Sequence, residues 1–356
     1  MNNIDLDFYK GKRVLVTGHT GFKGSWLCRI LACAGAEVTG YSLPAPTVPN
    51  LFSLADIESR MVSVIGDVRD RTHLADVFQT AKPEIVFHLA AQPLVRDSYK
   101  NPADTYEVNV MGTVNLLECI RTAQVPVRSV VIITTDKVYE NKEWVWGYRE
   151  NERLNGYDPY SNSKSCAELV TQTYQRCFFG GSNAAISTVR AGNVIGGGDF
   201  AEDRVIPDCV RAAQTGKPII VRNPHSIRPY QHVLEALFAY LMVAQRQYSD
   251  KGYAGWYNVG PEEHDCITTG SLVDMFCQEW GDSLAWTVQT ENNSPHESVF
   301  LKLDCTKLKT AFGWQPQWHI EQAVEKTVEW TKAWLANEDL PIVMDRQIYT
   351  YLQERS

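Results

Sequence analysis

The sequence predicts an α/β protein with a doubly wound parallel sheet and a smaller α/β lobe that binds substrate. Three observations support this fold class. Short β-branched runs alternate with amphipathic stretches in the first half of the chain, and a glycine-rich turn follows the first run. From about Val194 onward the pattern becomes irregular, with proline and glycine interrupting short elements. At 356 residues the chain is also long for one compact core, which favours a main domain with a second lobe.

Five short apolar runs are expected to form buried parallel strands. They are Arg13–Thr17, Glu37–Tyr41, Val62–Ile65, Ile85–Leu89 and Ser129–Thr134. Helical patterns lie between them, and this βαβ repetition indicates a Rossmann-type sheet that binds ligands at the carboxyl ends of its strands. A helix over Val233–Gln247 and a strand over Trp256–Val259 are expected to return the chain to the sheet.

These patterns divide the chain into two expected parts. Residues 1–193, with a return segment at about 230–260, should form the main sheet domain. Residues 194–229 and 261–356 should form the substrate-binding lobe. Ligands are therefore expected where the lobe meets the carboxyl edge of the sheet.

The composition excludes several classes of function. A net charge of −8 argues against a surface for nucleic acid or for anionic membranes. Hydrophobic residues make up 44% of the chain without an apolar run of about 20 residues, so no membrane span is expected. Residues 1–13 lack the apolar stretch of a secretory signal, so we expect a cytoplasmic protein. Nine cysteines without paired spacing are expected to be reduced thiols, and no metal site is expected.

The glycine-rich turn, residues 18–24 with the sequence GHTGFKG, joins the first strand to a helix that ends near Gly35. Without β-carbons the backbone can approach a pyrophosphate, whose charge the helix N–H groups and dipole stabilise. The alternative is a tight turn that only packs the helix on the strand. Because the turn closes a βαβ unit, we expect it to bind a dinucleotide. The expected contacts are Gly18, Thr20, Gly21, Phe22, Lys23 and Gly24.

A tyrosine and a lysine lie four residues apart at the start of another expected helix. Asp158 suits the N-cap and Pro159 the first helical position, so Tyr160 and Lys164 share one helix face. The pKa of a free phenol is near 10, and an adjacent ammonium group favours the phenolate. We therefore expect this pair to transfer protons, although a surface Tyr and Lys at helical spacing is the simpler alternative.

Three polar residues, Thr135, Asp136 and Lys137, follow the fifth predicted strand. They stand at a carboxyl strand end, where a substrate is expected. An acid and an amine beside a hydroxyl can donate one proton and accept another, as the elimination of water requires. A salt-bridged turn at the end of a strand is the alternative interpretation.

Together, the spacing GxxGxxG and the pair YxxxK resemble the extended short-chain dehydrogenase/reductase superfamily. The resemblance extends to residues 88–92 (HLAAQ), 189–194 (VRAGNV) and 228–233 (RPYQHV). It implies NAD as the cofactor, although the second strand ends in Tyr41 and Ser42, without the acid that usually holds the ribose. The further cofactor contacts that it implies are Ser42, Asp67, Val68, Leu89, Ala90, Ala91, Tyr160 and Lys164.

The Thr-Asp-Lys segment resembles the sugar-nucleotide 4,6-dehydratases of this superfamily, which follow the Thr with an acid and a base. Most of them carry Asp-Glu, and the Lys in this chain resembles the members that act on CDP-glucose. The catalytic residues that this implies are Thr135, Asp136, Lys137, Tyr160 and Lys164. The implied contacts to a nucleotide-sugar substrate are Gln92, Asn193, Arg204, Arg228 and Glu297.

The resemblance implies that CDP-D-glucose is converted to CDP-4-keto-6-deoxy-D-glucose and water. A dTDP- or GDP-sugar dehydratase, a 4-epimerase and a nucleotide-sensing binding protein remain open. The Asp136–Lys137 pair argues against the epimerase, and the Tyr160–Lys164 pair against a protein without turnover. Relatives commonly form homodimers or homotetramers through the helices near 104–123 and 160–176. Their product feeds bacterial deoxysugar synthesis for surface polysaccharide, such as the O-antigen of lipopolysaccharide.

Overall fold

The computed structural model describes residues 4–123, 125–281, 284–289 and 299–354. Its strands are β1 (Arg13–Thr17), β2 (Glu37–Ser42), β3 (Val62–Ile65), β4 (Ile85–His88), β5 (Ser129–Thr135), β6 (Ala185–Ala191), β7 (Val194–Ile195), β8 (Ile219–Val221), β9 (Ile227–Pro229), β10 (Gln231–His232), β11 (Trp256–Val259), β12 (Cys266–Thr268) and β13 (Trp286–Val288). Its helices are α1 (Phe22–Cys33), α2 (Leu51–Leu54), α3 (Arg71–Ala81), α4 (Val95–Lys100), α5 (Pro102–Tyr106), α6 (Gly112–Thr122), α7 (Pro159–Tyr174), α8 (Val205–Thr215), α9 (Val233–Ser249), α10 (Thr269–Trp280), α11 (Thr306–Phe312), α12 (Ile320–Leu335) and α13 (Leu340–Glu354).

Seven parallel strands form the central sheet in the order β11-β6-β5-β4-β1-β2-β3. The chain runs from β1 to β3 towards one edge and then from β4 towards the other. The direction therefore reverses between β1 and β4, which creates a crevice at the carboxyl ends of these strands. The predicted doubly wound α/β fold is confirmed.

The two faces of the sheet bury separate apolar clusters, because side chains alternate between the faces along each strand. Val14 and Val16 of β1 pack with α1, α9 and α13 on one face. Leu15 between them packs with α3 and α6 on the other face. Every residue of β5 and β6 is buried, so both faces of these two strands are covered by other elements.

A second lobe lies outside the central sheet and has its own apolar core. Helices α8, α10 and α12 pack there against β8, with Ile206, Leu272 and Val324 among the buried residues. Three two-stranded sheets, β7 with β10, β8 with β13 and β9 with β12, complete this region. The residue limits predicted for the two parts of the chain stay a prediction.

The predicted strands of the first half agree closely with the structure. Strands β1, β3 and β11 have the predicted bounds, β2 and β5 are one residue longer, and β4 ends one residue earlier. Helix α9 extends two residues beyond its predicted end. Strand β6 was not among the predicted strands because Ser187, Thr188 and Arg190 interrupt its apolar pattern.

A buried ion pair fastens α7 to the two central strands. The Glu168 carboxylate of α7 accepts a 2.7 Å hydrogen bond from Arg190 of β6, and neither side chain is exposed. Thr134 of β5 and Thr188 of β6 also donate to this carboxylate. Burial alone would raise the pKa of Glu168, but Arg190 and the two hydroxyls outweigh burial and lower it. The carboxylate therefore stays ionised and fixes the position of α7 over β5.

Replacing Glu168 with Gln is expected to lower the free energy of unfolding by about 3–5 kcal/mol, because the Arg190 charge stays buried without its counter-charge. Urea denaturation measures the change. The matched control is Glu118→Gln, whose partner Arg121 lies at the surface and whose loss should amount to less than about 1 kcal/mol. Equal losses in the two variants would contradict this account.

Candidate active site

The glycine turn lies at the reversal point of the sheet and packs closely against β4. Gly18 has φ +76°, and a β-carbon on it would lie 2.7 Å from the backbone nitrogen of Ala90. A β-carbon on Gly24 would lie 2.1 Å from the carbonyl oxygen of Gly18. These two glycines are thus required by packing alone, as the simpler interpretation of the turn supposes.

The third glycine has a different environment. A β-carbon on Gly21, the N-cap of α1, would have one neighbour within 4 Å, the Gly18 carbonyl oxygen at 3.4 Å. The backbone therefore leaves open space in front of the helix N-terminus, where N–H groups lack intrahelical partners. Thr20 borders this space, with its hydroxyl bonded to the Ser42 hydroxyl at 3.0 Å. An anionic ligand such as a pyrophosphate fits there.

Lys23, in the first turn of α1, places a half-buried ionisable amine in this region. Burial, with the nearby charges of Arg204 and Lys164, lowers the pKa of Lys23 to about 7. Its amine lies 5.9 Å from the centre of the Tyr240 ring. An anion that binds beside this amine would stabilise its protonated form.

The segment after β4 is held by the end of β1. The Leu89 and Ala90 N–H groups donate to the carbonyl and the hydroxyl of Thr17, at 3.1 and 3.2 Å. The same hydroxyl lies 2.7 Å from Nδ1 of His88. Burial lowers the pKa of His88 to about 3, so its ring is neutral and structural. The backbone from residue 89 to 91 thereby forms one wall of the crevice.

Thr135, Asp136 and Lys137 form a connected group at the carboxyl end of β5. Oδ1 of Asp136 accepts hydrogen bonds from the Thr135 hydroxyl at 2.8 Å and from the Lys137 amine at 3.1 Å. The amine also donates to Asn193 at 2.9 Å. Oδ2 of Asp136 is buried and has no hydrogen-bond partner among the described residues. One oxygen of this carboxyl group is thus left for a ligand.

Tyr160 and Lys164 share the predicted face of α7 and approach the same group. Asp158 caps the helix by accepting from the Ser161 N–H at 2.9 Å. Burial raises the pKa of Tyr160 to about 12, while a hydrogen bond with Thr135 opposes this rise. The lowering expected from the sequence is therefore not seen without a ligand. Burial lowers the pKa of Lys164 to about 8, and its amine donates to the Ile133 carbonyl at 3.4 Å.

Two predicted substrate residues lie at this group. Asn193 bonds Lys137, as described above. Arg204 is near enough for its charge to oppose the rise in the pKa of Tyr160, and its guanidinium is bonded to Asp199 at 2.9 Å. The group thus combines a phenol, a carboxyl group and several cations.

Other predicted site residues have partners of their own. The Gln92 amide bonds Leu94 in its own loop and Thr105 of α5, so its side chain is directed towards α5. Arg69 binds the carboxylate of Asp67 at 2.6 Å and lowers the pKa of Asp67.

Two of the remaining predicted residues are buried, and the third lies outside the described residues. The side chain of Val68 is buried under α6 and lies close to Gly112. Arg228 is buried in β9 and donates to the Ile227 carbonyl. Glu297 lies outside the described residues. The proposed contacts of these residues stay predictions.

Two residues that shape the site were not among the predicted site residues, although Asn109 belongs to the family resemblance. Asn109 lies in a π-helical turn, where it bonds both the backbone of Gln92 and the Ser163 hydroxyl of α7. Asp199 orients Arg204. The π-turn has no strong sequence signal, whereas an acid directly after Gly196–Gly198 was a signal available in the sequence.

The sheet order, the glycine turn and the Tyr160–Lys164 pair define a protein of the extended short-chain dehydrogenase/reductase type. The comparisons with known proteins agree with this class. The chain matches the family model described as GDP-mannose 4,6 dehydratase over residues 15–327, and it belongs to this family. In the part of the chain that the structure describes, no helix combines the length and the apolar character needed to cross a membrane.

One curated relative is similar over almost the whole chain. A CDP-glucose 4,6-dehydratase of Salmonella typhimurium is 51% identical to it, and the match covers 98% of each protein. The resemblance to the sugar-nucleotide 4,6-dehydratases is therefore confirmed.

Two solved structures share the fold. A dTDP-glucose 4,6-dehydratase from Bacillus anthracis, solved with NAD, has a TM-score of 0.75 at 23% identity and covers 90% of this chain and 96% of that chain. A UDP-glucose 4-epimerase from Thermotoga maritima, solved with UDP-glucose, has a TM-score of 0.79 at 24% identity. The match covers 90% of this chain and 99% of that chain.

Replacing Lys23 with Met is expected to stabilise the protein and to weaken dinucleotide binding. The folded-state pKa of about 7 lies below the ordinary value, so the stability of the native chain should rise between about pH 7 and pH 10.5. The Met variant should lose this rise and gain on the order of 2 kcal/mol at pH 6. Urea denaturation at several pH values and titration with NAD measure the two effects. Lys100→Met, at an exposed position, is the control, and a variant that is less stable at pH 6 would contradict the prediction.

Proposed function

We propose that the protein is an NAD-dependent CDP-glucose 4,6-dehydratase. It converts CDP-D-glucose to CDP-4-keto-6-deoxy-D-glucose and water. The observation that carries the proposal is that the Tyr160 phenol lies near enough to Thr135 and Asp136 for both to shift its pKa, while Thr135 and Lys137 bond the Asp136 carboxylate. Oxidation and elimination chemistry thereby meet at one place, as a 4,6-dehydration requires.

The residues at the glycine turn fit NAD. The open space over Gly21, the N-terminus of α1 and the half-buried amine of Lys23 together suit a pyrophosphate. No acid ends β2, and Ser42 is already bonded to Thr20, so ribose recognition relies on groups other than a carboxylate there. Bound NAD supplies the acceptor for the hydride from C4 and the donor that returns it to C6.

The first step requires a base for the C4 hydroxyl proton. Tyr160 is that base in our proposal, and Thr135 orients the hydroxyl by hydrogen bonding. Burial holds the phenol neutral in the absence of ligands. A positively charged ligand and the Lys164 ammonium both favour the phenolate, so the base forms only in the loaded site. The product of this step is a 4-keto sugar.

The second step eliminates water across C5 and C6. The ketone acidifies the C5 proton, and Lys137 removes it while Asp136 protonates the leaving C6 hydroxyl. Oδ2 of Asp136 is the oxygen suited to carry that proton, because Oδ1 already accepts from Thr135 and Lys137. Lys137 can accept a proton only as the neutral amine, and Asp136 can donate one only as the neutral acid, so the proton of their ion pair must first move from the amine to the carboxylate. Reprotonation at C5 by Lys137 then completes the product.

The nucleotide half of the substrate is assigned to the second lobe. Arg204 and Arg228 can each give paired hydrogen bonds to a diphosphate, and Asn193 lies between the lobe and Lys137. The choice of CDP rests on the relative from Salmonella typhimurium and on Lys137 in place of the usual Glu. The acid and base pair disfavours a 4-epimerase, and the complete proton-transfer group disfavours a binding protein without turnover.

We also propose a homodimer formed through the faces of α6 and α7. Large apolar side chains are exposed on and beside these helices, with Met111 50%, Leu169 49% and Phe178 50% exposed. A dimer contact would cover them. The use of the product in deoxysugar and surface-polysaccharide synthesis, and a cytoplasmic location, stay predictions.

Incubation of the purified protein with CDP-, dTDP-, UDP- and GDP-glucose tests the proposed activity. We expect a 4-keto product, recognised by its alkaline absorbance, chiefly from CDP-glucose. A product from another nucleotide sugar would retain the dehydratase and overturn the choice of base. Formation of a C4 epimer, or binding without turnover, would overturn the dehydratase itself.

Variants of the acid and the base test the order of steps. Asp136→Asn should still oxidise C4 but eliminate water about 10²–10⁴-fold more slowly, so reduced cofactor and 4-keto-glucose nucleotide should accumulate. Lys137→Met should also fail to exchange the C5 hydrogen with deuterated solvent. Tyr160→Phe should lose both steps, and Asp97→Asn on the surface of α4 should lose neither. Loss of oxidation in Asp136→Asn would contradict the assigned roles.

A further inference from the structure

Two histidines and one aspartate converge at the surface, on elements that carry none of the proposed catalytic residues. His264 and Asp265 lie just before β12, and His319 is the N-cap of α12. Nε2 of His264 lies 3.1 Å from Nδ1 of His319. Oδ2 of Asp265 lies 2.9 Å from that Nδ1 and 3.5 Å from Nε2 of His264.

These three distances match the edges of a tetrahedral coordination sphere. Zinc binds histidine nitrogen and carboxylate oxygen at about 2.0–2.1 Å, which places neighbouring ligand atoms about 3.3 Å apart. The atoms of His264, Asp265 and His319 form a triangle of nearly this size. Three protein ligands of this kind leave the fourth position of a tetrahedral ion open.

The carboxylate at the centre of the triangle is rigidly held. Asp265 is 1% exposed, and its Oδ1 accepts from the Ile320 N–H at the start of α12 at 3.1 Å. Its second oxygen, Oδ2, therefore points towards the two imidazole rings. Both histidine side chains are exposed, His264 at 66% and His319 at 49%, so an ion can enter from solvent. A fixed carboxylate with solvent-accessible histidines gives a site that needs little reorganisation.

The surroundings favour a cation. Glu262 and Glu263 precede the site directly, and Glu321 follows it in the first turn of α12. Lys309 and Lys302 balance the first two carboxylates, at 2.7 and 3.0 Å. Asp265 and Glu321 therefore give the site a net negative charge. This charge offsets the positive end of the α12 dipole.

We propose that His264, Asp265 and His319 bind a divalent transition-metal ion of the zinc type. The ion joins the segment before β12 to α12, two elements of the second lobe. Strand β12 pairs with β9, where Ile267 lies opposite Arg228. Metal binding thus braces the strand pair that carries a proposed diphosphate ligand, and its role is structural. Sequence reasoning expected no metal because the two halves of the site lie 54 positions apart.

Titration of the full chain with Co²⁺ tests the site, because tetrahedral Co²⁺ has intense ligand-field absorption. We expect one equivalent to bind, Zn²⁺ to displace it, and Zn²⁺ to raise the melting temperature. His264→Gln and His319→Gln should each weaken binding about 100-fold or more and abolish the melting shift. Both side chains are exposed, so the variants are expected to fold.

Two control variants make the test decisive. His225→Gln removes an exposed histidine outside the triangle and should change nothing. Cys266→Ser removes the neighbouring thiol, which bonds the Glu262 carbonyl, and should also retain the absorption. Equal binding by the native chain and His264→Gln, binding that depends on Cys266, or only millimolar binding in all variants would overturn the proposal.

Discussion

A carboxylate and a guanidinium without solvent contact, Glu168 and Arg190, hold together the elements that carry the proposed chemistry. Glu168 lies one turn beyond Lys164 on α7, and its oxygens bind Thr134 of β5 as well as Thr188 and Arg190 of β6. This network fixes the distance between α7 and the end of β5. Tyr160 lies close to Thr135 because their two elements are fastened at Glu168, two helical turns along α7.

The electrostatics of the crevice follow from the same packing. Burial lowers the pKa values of Lys23 and Lys164 and raises that of Tyr160, so the protein without ligands keeps less charge there than the sequence indicates. Bound phosphate groups would favour the ammonium forms of the two lysines, whereas a positively charged ring beside Tyr160 would favour its phenolate. The ionisation of these side chains is thus coupled to ligand binding. Such coupling suits the proposed reaction, in which one cofactor is reduced and reoxidised within the same site.

The sequence predicted most of the strands of the sheet and most of the proposed catalytic residues, because local residue patterns indicate both. Apolar runs marked the strands of the first half, and YxxxK marked one helix face. Strand β6 was missed because Ser187, Thr188 and Arg190 are polar, and only the folded chain supplies their partners Gln247 and Glu168. Asp199 and the His264–His319 contact were missed for the same reason, since their roles depend on contacts made only in the fold.

The hydrogen bond between Lys137 and Asp136 determines when the proposed elimination can begin. The proposed acid and base, which would act on the two adjacent carbons C5 and C6, form an ion pair with each other in the protein without substrate. In this ion pair the proposed base carries the proton and the proposed acid lacks it, so neither group can act on a ketone from solution. In the proposed mechanism a bound hexose excludes water from the pair, which favours the neutral acid and the neutral amine, so the substrate itself brings both groups into their active forms.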